Sequence, residues 1–355
     1  MFPAEYYEFI YLALIAIMTL AMVSHRNKLN MREGIAGSMI LCICLILLIG
    51  FRPHTHIFGD TANFAREWGR LSWEGWDWKT DNILFDNIFV YWGTIFNSVT
   101  PLFVFCASIY FSCILIACRK LFPSNTTIIY LIYLAAFSTF SYGTNGIKSG
   151  VATALFLVAL AYRDNLKISI PVVILSWGFH HSMIMPVAAY ILTLFFRNKD
   201  YYFYGWLLCL AIAALHITFF QELFAGLADS SGAGYLSNDT SAEVQRAKTG
   251  FRIDFVIYSA MPVVMGYYVK YKYKLRDTLY DILLNMYLTT NGVWMLCMYA
   301  EFTNRIAYLS WFMYPLVLIY PCYAIANEKH PLVQYRKPIV LGHLGFTLFM
   351  NLIYY

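Results

Sequence analysis

Twelve apolar stretches recur along this chain, and no soluble-looking block between them exceeds about 35 residues. A helix needs roughly 17 to 25 apolar residues to cross a hydrocarbon core, so this spacing excludes most soluble folds. The stretches are 6–24, 34–51, 101–118, 127–143, 148–162, 168–180, 182–196, 201–220, 253–270, 279–299, 306–326 and 338–354. Composition agrees: 60% of the 355 residues are hydrophobic, 13% are charged, and the mean hydropathy is +0.57. The expected fold class is an all-α polytopic membrane protein of about twelve spans, forming a single integral domain over residues 1–355.

Charge then fixes an orientation. An even span count puts both termini on one side. Placing them outside leaves 16 of the 25 Lys and Arg on inner connections such as "HRNKLNMR" (25–32) and "KYKYKLR" (270–276). Of the 20 acidic residues, 6 fall inside and 14 outside, so the inner face carries 16 − 6 = +10 and the outer face 9 − 14 = −5. The N-terminal "MFPAEYYEF" lacks the basic region of a cleavable signal, so the first stretch reads as a permanent span. The eight cysteines all lie in apolar stretches without CxxC or Cys/His spacing, which suits packing rather than redox or metal chemistry.

Two segments resist simple spanning. In 84–99, "LFDNIFVYWGTIFNSV", Phe85, Ile88, Phe89, Trp92, Ile95, Phe96 and Val99 share one helical face, the pattern of an amphipathic helix lying on the outer interface. Residues 168–196 are too long for one span and short for two. With "FHHS" (179–182) at the centre, they read as a helical hairpin whose turn is recessed below the outer surface. Two outer loops remain: 52–100, which includes the interfacial helix, and 221–252, whose Gly, Ser, Asn and Asp content marks irregular structure.

The outer basic residues are few and stand apart. Arg52, Lys148, Arg252 and Arg305 lie at outer span ends, and Arg66 lies in the first loop. Each is read either as snorkelling to lipid headgroups or as part of an anion site. Guanidinium forks match a pyrophosphate well. Asp60 and Arg66 in "GDTANFAR", and Arg252 and Asp254 in "RID", are equally readable as structural ion pairs. His180 near membrane depth is either a functional imidazole or a neutral one bonded to a neighbouring helix. His54 and His56 would face one side of an extended "HTH" but lack a third metal ligand at recognisable spacing.

The order of "FR…GD…R" after the second span, "NGIKSGVA", "FHHS", "RIDF" and "NRIAY" resembles the EpsG branch of Wzy-type polysaccharide polymerases over most of the chain. The resemblance implies a multi-pass enzyme of the bacterial inner membrane, with its active site facing the periplasm. Its substrate would be undecaprenyl-pyrophosphate-linked oligosaccharide repeats, joined in O-antigen, capsule or exopolysaccharide synthesis. Position by position, Arg52 and Asp60 match the first motif, His180 and Ser182 the His-x-Ser element, and Arg305 the last. Lys148 and Ser149 stand where the family usually has Arg-Gln, and an ammonium cannot make the contacts of a guanidinium fork.

Glycan transfer from a lipid pyrophosphate needs a base near the attacking hydroxyl and cations where negative charge develops. His180 is the favoured base and Asp60 its competitor; Arg52, Arg66, Lys148, Arg252 and Arg305 form the candidate clamp. No acidic DxD pair occurs on the outer loops, so no metal or other cofactor is expected. The expected partners are the lipid-linked oligosaccharide and membrane lipids, with a chain-length regulator as a further candidate and no nucleic acid. Two other classes stay open: a lipid-linked sugar transporter, which should carry cations on both sides of the midplane, and a membrane O-acyltransferase using His180 alone.

Overall fold

Hydrocarbon offers no partners to a bare backbone, so apolar stretches of this length satisfy their own N–H and C=O groups as helices. The computed structural model describes residues 2–24, 31–74, 77–221, 250–300, 303–325 and 329–354, and among these it is helical throughout, with no strand. Every expected span falls on a helix or a pair of helices. Among the described residues, Ala4–Ser24, Thr100–Leu121 and Thr303–Tyr323, of 21, 22 and 21 residues, are long and apolar enough to cross unaided. Many outward faces carry large apolar side chains, among them Phe9, Ile17, Ile43, Leu47, Ile174 and Leu208, as a lipid-facing surface requires.

The chain divides into two compact units, Met1–His181 with Cys322–Tyr355, and Ser182–Pro321. In the first, α1 (Tyr7–Ser24), α2 (Met31–Gly50), α3 (Thr61–Glu74), α4 (Ile83–Ile95), α5 (Thr100–Leu121), α6 (Thr126–Leu134), α7 (Phe137–Thr144), α8 (Ile147–Ala161) and α9 (Leu166–Phe179) follow one another. Helix α8 packs between α5 and α9 and is buried nearly all round, which its four alanines and Gly150 permit. At Gly150 an added Cβ would come within 2.6 Å of the Tyr142 carbonyl, so close packing of α7 on α8 requires glycine there.

The expected span 127–143 is broken into α6 and α7 by a 73° bend. A break inside an apolar layer frees carbonyls, and here each finds a donor. His343 Nε2 donates to Ile132 O at 3.0 Å, Thr139 to Tyr133 O at 2.8 Å, Tyr11 to Leu134 O at 2.6 Å, and Thr347 to Ala135 O at 2.7 Å.

The segment between α2 and α5 holds two helices, α3 and α4. Helix α3 buries Ala62, Trp68 and Leu71 at helical spacing while Asn63, Arg66, Glu67 and Arg70 stay exposed. The 84–99 helix is present as α4. It buries Phe85, Phe89, Val90 and Gly93 and packs on both α3 and α9.

The second unit holds α10 (Ile184–Phe195), α11 (Lys199–Ala214), α12 (Ile253–Tyr267), α13 (Thr278–Leu296) and α14 (Thr303–Trp311), with α13 at its centre. Indole donors tie these helices together: Trp206 to Asn291 at 2.8 Å, Trp311 to Ser259 at 2.8 Å, and Trp294 to Thr303 at 3.0 Å. Asn291 continues the chain to Ser310 at 3.0 Å. Most of the second loop, residues 222–249, lies outside the described residues.

Candidate functional site

Helices α3 and α4 are joined by aromatic contacts. Phe64 meets Phe85 and Phe89 at 5.8 and 5.7 Å, Trp68 meets Phe89 edge-on at 5.3 Å, and the Trp68 indole donates to Phe96 O at 2.9 Å. Their polar sides face two adjoining clefts. One, of about 360 Å³, gathers Asn63, Arg66, Arg70 and Lys79. The other, of about 280 Å³, is lined by Phe64, Trp78, Asp81, Asp86 and Lys148 among others, and Glu67, Lys79 and Val90 border both. Three of the first unit's cations thus share one cleft, where charge converges on a ligand-sized space.

A polar chain leads inward from the second cleft. Lys148, in the first turn of α8, pairs with Asp86 at 2.6 Å and lies over the Phe85 ring at 4.9 Å. The other oxygen of Asp86 accepts from Asn82 N–H at 3.0 Å and Asn82 Nδ2 at 3.4 Å, and Asn82 Oδ1 accepts from His181 N–H at 3.1 Å. The "NGIKSG" and "FHHS" motifs are therefore linked through the start of α4. His180 caps α9 in an extended conformation, φ −155°, and is half-buried; the next residue, His181, stacks on Trp177 with ring centres 5.0 Å apart.

Asp86 and Asn82 were not among the residues singled out from sequence. The signal available was a carboxylate on an otherwise apolar helix, which needs a cation if it is half-buried. Its partner lies 62 residues away.

Arg52 serves differently from the exposed arginines. Its side chain is 1% exposed and makes four hydrogen bonds: Nε and Nη2 to Thr61 Oγ1 at 3.1 and 3.0 Å, Nη1 to Ile49 O at 2.8 Å, and Nη2 to Thr144 O at 2.9 Å. The Phe103 ring lies 4.2 Å beneath it. Burial pulls its pKa down to about 9, which leaves it charged at neutral pH. In this geometry the fork is committed to backbone carbonyls of α2 and α7 and to the Thr61 hydroxyl of α3. Beside it, Gly59 takes φ +57°, where a side chain would run into the Asn145 amide, and Asp60 N–H donates to Asn145 Oδ1 at 2.9 Å. So the "FR", "GD" and "TNG" segments meet in space.

Asp60 opens α3, its carbonyl accepting from Phe64 N–H at 2.9 Å. Asn63 relays between its carboxylate, at 3.3 Å, and Arg66, at 3.5 Å. His54 Nε2 meets Thr100 Oγ1 at 3.2 Å and its ring meets Phe103 edge-on. Burial, and then the Arg52 charge, lower the His54 pKa.

In the second unit, Arg252 forks onto Asp254, with Nε to Oδ1 at 3.0 Å and Nη2 to Oδ2 at 2.6 Å, and lies 3.8 Å over the Phe255 ring. This is the ion pair that "RID" suggested. Arg305 is exposed in the first turn of α14. Ser182 begins this unit.

The motifs that meet around Arg52, Asp60 and Lys148 are those of the resemblance, and the comparison with known families is decisive. The family model described as the EpsG family matches residues 35–354. The chain belongs to the EpsG family. EpsG is a Wzy-like polymerase family, so the helices and clefts described here belong to a membrane protein of that group. Comparisons with curated proteins and with solved structures returned no match. In this EpsG chain the Lys148 ammonium is paired with Asp86.

Proposed function

We propose that this EpsG protein joins undecaprenyl-pyrophosphate-linked oligosaccharide repeats end to end at the periplasmic face of the bacterial plasma membrane. The observation that carries this reading is the basic cleft of α3, with Arg66, Arg70 and Lys79, adjoining the cleft of Asp86 and Lys148 whose hydrogen-bond chain reaches the His180 turn. Arg66 and Arg70 present forks for the pyrophosphate and disperse its charge as it departs. A hydroxyl oxygen of one repeat bonds to the anomeric carbon of the other. The carbon–oxygen bond to pyrophosphate breaks, the electron pair leaves with the lipid pyrophosphate, and His180 takes the hydroxyl proton, with Asp60 as the competing acceptor. Arg52 is a positioning residue that holds α3 in place. Arg252 and Arg305 remain candidate phosphate contacts, Arg252 by exchanging Asp254 for phosphate oxygens.

Surface glycan from a strain lacking the gene tests the reading. Loss of long chains with single capped repeats retained is the expected result. Loss of all surface repeats would indicate transport instead, and unchanged chain length with missing acyl groups would indicate acyl transfer.

A further inference from the structure

The cleft beside the basic one has a different chemistry. Trp78 is 58% exposed at its edge, and its strap is pinned to α4 by Asn87, which accepts from Lys79 N–H at 3.0 Å and donates to Lys79 O at 2.7 Å. Phe64 and Phe89 add apolar surface, while Glu67 and Asp81 supply carboxylates. Three carboxylates, of Glu67, Asp81 and Asp86, line this cleft against two lysines, of which Lys148 pairs with Asp86 at 2.6 Å and Lys79 is shared with the basic cleft. An anion has little to gain in such a place. A pyranose ring has much: its C–H face carries slight positive charge and stacks on the negative face of an aromatic ring, while its hydroxyls donate to carboxylates. The space suits roughly one or two sugar rings.

We infer that the cleft between Trp78, Glu67 and Asp81 is a saccharide subsite for an uncharged or amino sugar, distinct from the neighbouring basic cleft. From the polymerase reading it takes only that the ligand is a glycan. An exposed ring held by a pinned strap is a platform prepared before the ligand arrives, which lowers the ordering cost of binding.

Saturation-transfer NMR on the full-length protein in lipid nanodiscs tests it, with the methyl glycosides of glucose, galactose and N-acetylglucosamine as probes and inorganic pyrophosphate as competitor. At least one glycoside should receive saturation. The signal should fall several-fold in Trp78→Ala and in Glu67→Gln, and should persist with pyrophosphate present and in the control Tyr201→Ala. No transfer to any of the three glycosides, or equal transfer in Trp78→Ala, overturns the subsite. The two readings fail separately. A protein that binds glycosides through Trp78 but makes no polymer loses the polymerase reading alone. A polymerase that shows no saturation transfer, and whose KM is unmoved by Trp78→Ala, loses the subsite alone.

Discussion

Arg52 and Arg66 stand fourteen positions apart in one segment, and their surroundings give them opposite work. Arg52 is enclosed, with four hydrogen bonds to α2, α3 and α7, so removing it strands buried acceptors as well as a shaped hole. Arg52→Ala is expected to cost about 3 kcal/mol or more, read as a lower melting temperature and less folded protein in the membrane. Both the folded and unfolded protein hold this guanidinium's proton below its folded pKa of about 9, so Arg52 adds no pH dependence to melting near neutrality. Stability rises only above that value, where the unfolded chain binds the proton more tightly than the folded one. Arg66 is exposed, and Arg66→Ala should leave melting within about 0.5 kcal/mol while long glycan chains are lost. Unaltered chain length in Arg66→Ala, by glycan electrophoresis, would make it a headgroup-facing residue.

At the scale of elements, α4 is the bridge. Asn82 at its start holds Asp86 with its N–H groups and His181 with its carbonyl, so one side chain ties α4 and α8 to the end of α9. Asn82→Ala should cost about 1 to 3 kcal/mol, because the 6%-exposed site leaves the His181 N–H unpaired. It should also slow polymerisation at least tenfold through misplacement of the turn. Asn82→Asp keeps the acceptor for His181 N–H but loses the side-chain donor to Asp86 and sets a second carboxylate against it, so it should restore neither melting nor activity in full. Hydropathy made the helices legible, down to α8 with its basic first turn. It did not reveal the α6–α7 break, because 127–143 is apolar without a proline to mark the bend; the donors that make the break tolerable, Tyr11, His343 and Thr347, lie far away in sequence. Arg66 and Lys148 were legible as isolated cations, whereas Asp86, Asn82 and Arg70 were not, since pairing across 62 residues leaves no local pattern. The "RID" pair was legible because both partners sit within one turn.

For the whole molecule, the decisive questions are which way it faces and whether it polymerises. From the charge bias, Ala65 is expected outside and Ser24 inside. Cysteine at Ala65 should therefore react with an impermeant thiol reagent on intact spheroplasts and cysteine at Ser24 should not, and the reverse labelling would relocate every site described. The most direct test of the central claim is turnover by the purified protein in nanodiscs with a synthetic undecaprenyl-pyrophosphate-linked repeat, read as a ladder of lengthening glycans. The wild-type protein should build the ladder, Arg66→Ala and Arg70→Ala should abolish it, and His180→Ala should slow it by roughly 100-fold, the scale of a lost general base. A wild-type protein that inserts, folds and binds the lipid-linked repeat yet makes no ladder, or variants at Arg66, Arg70 and His180 that all keep wild-type turnover, would contradict the account.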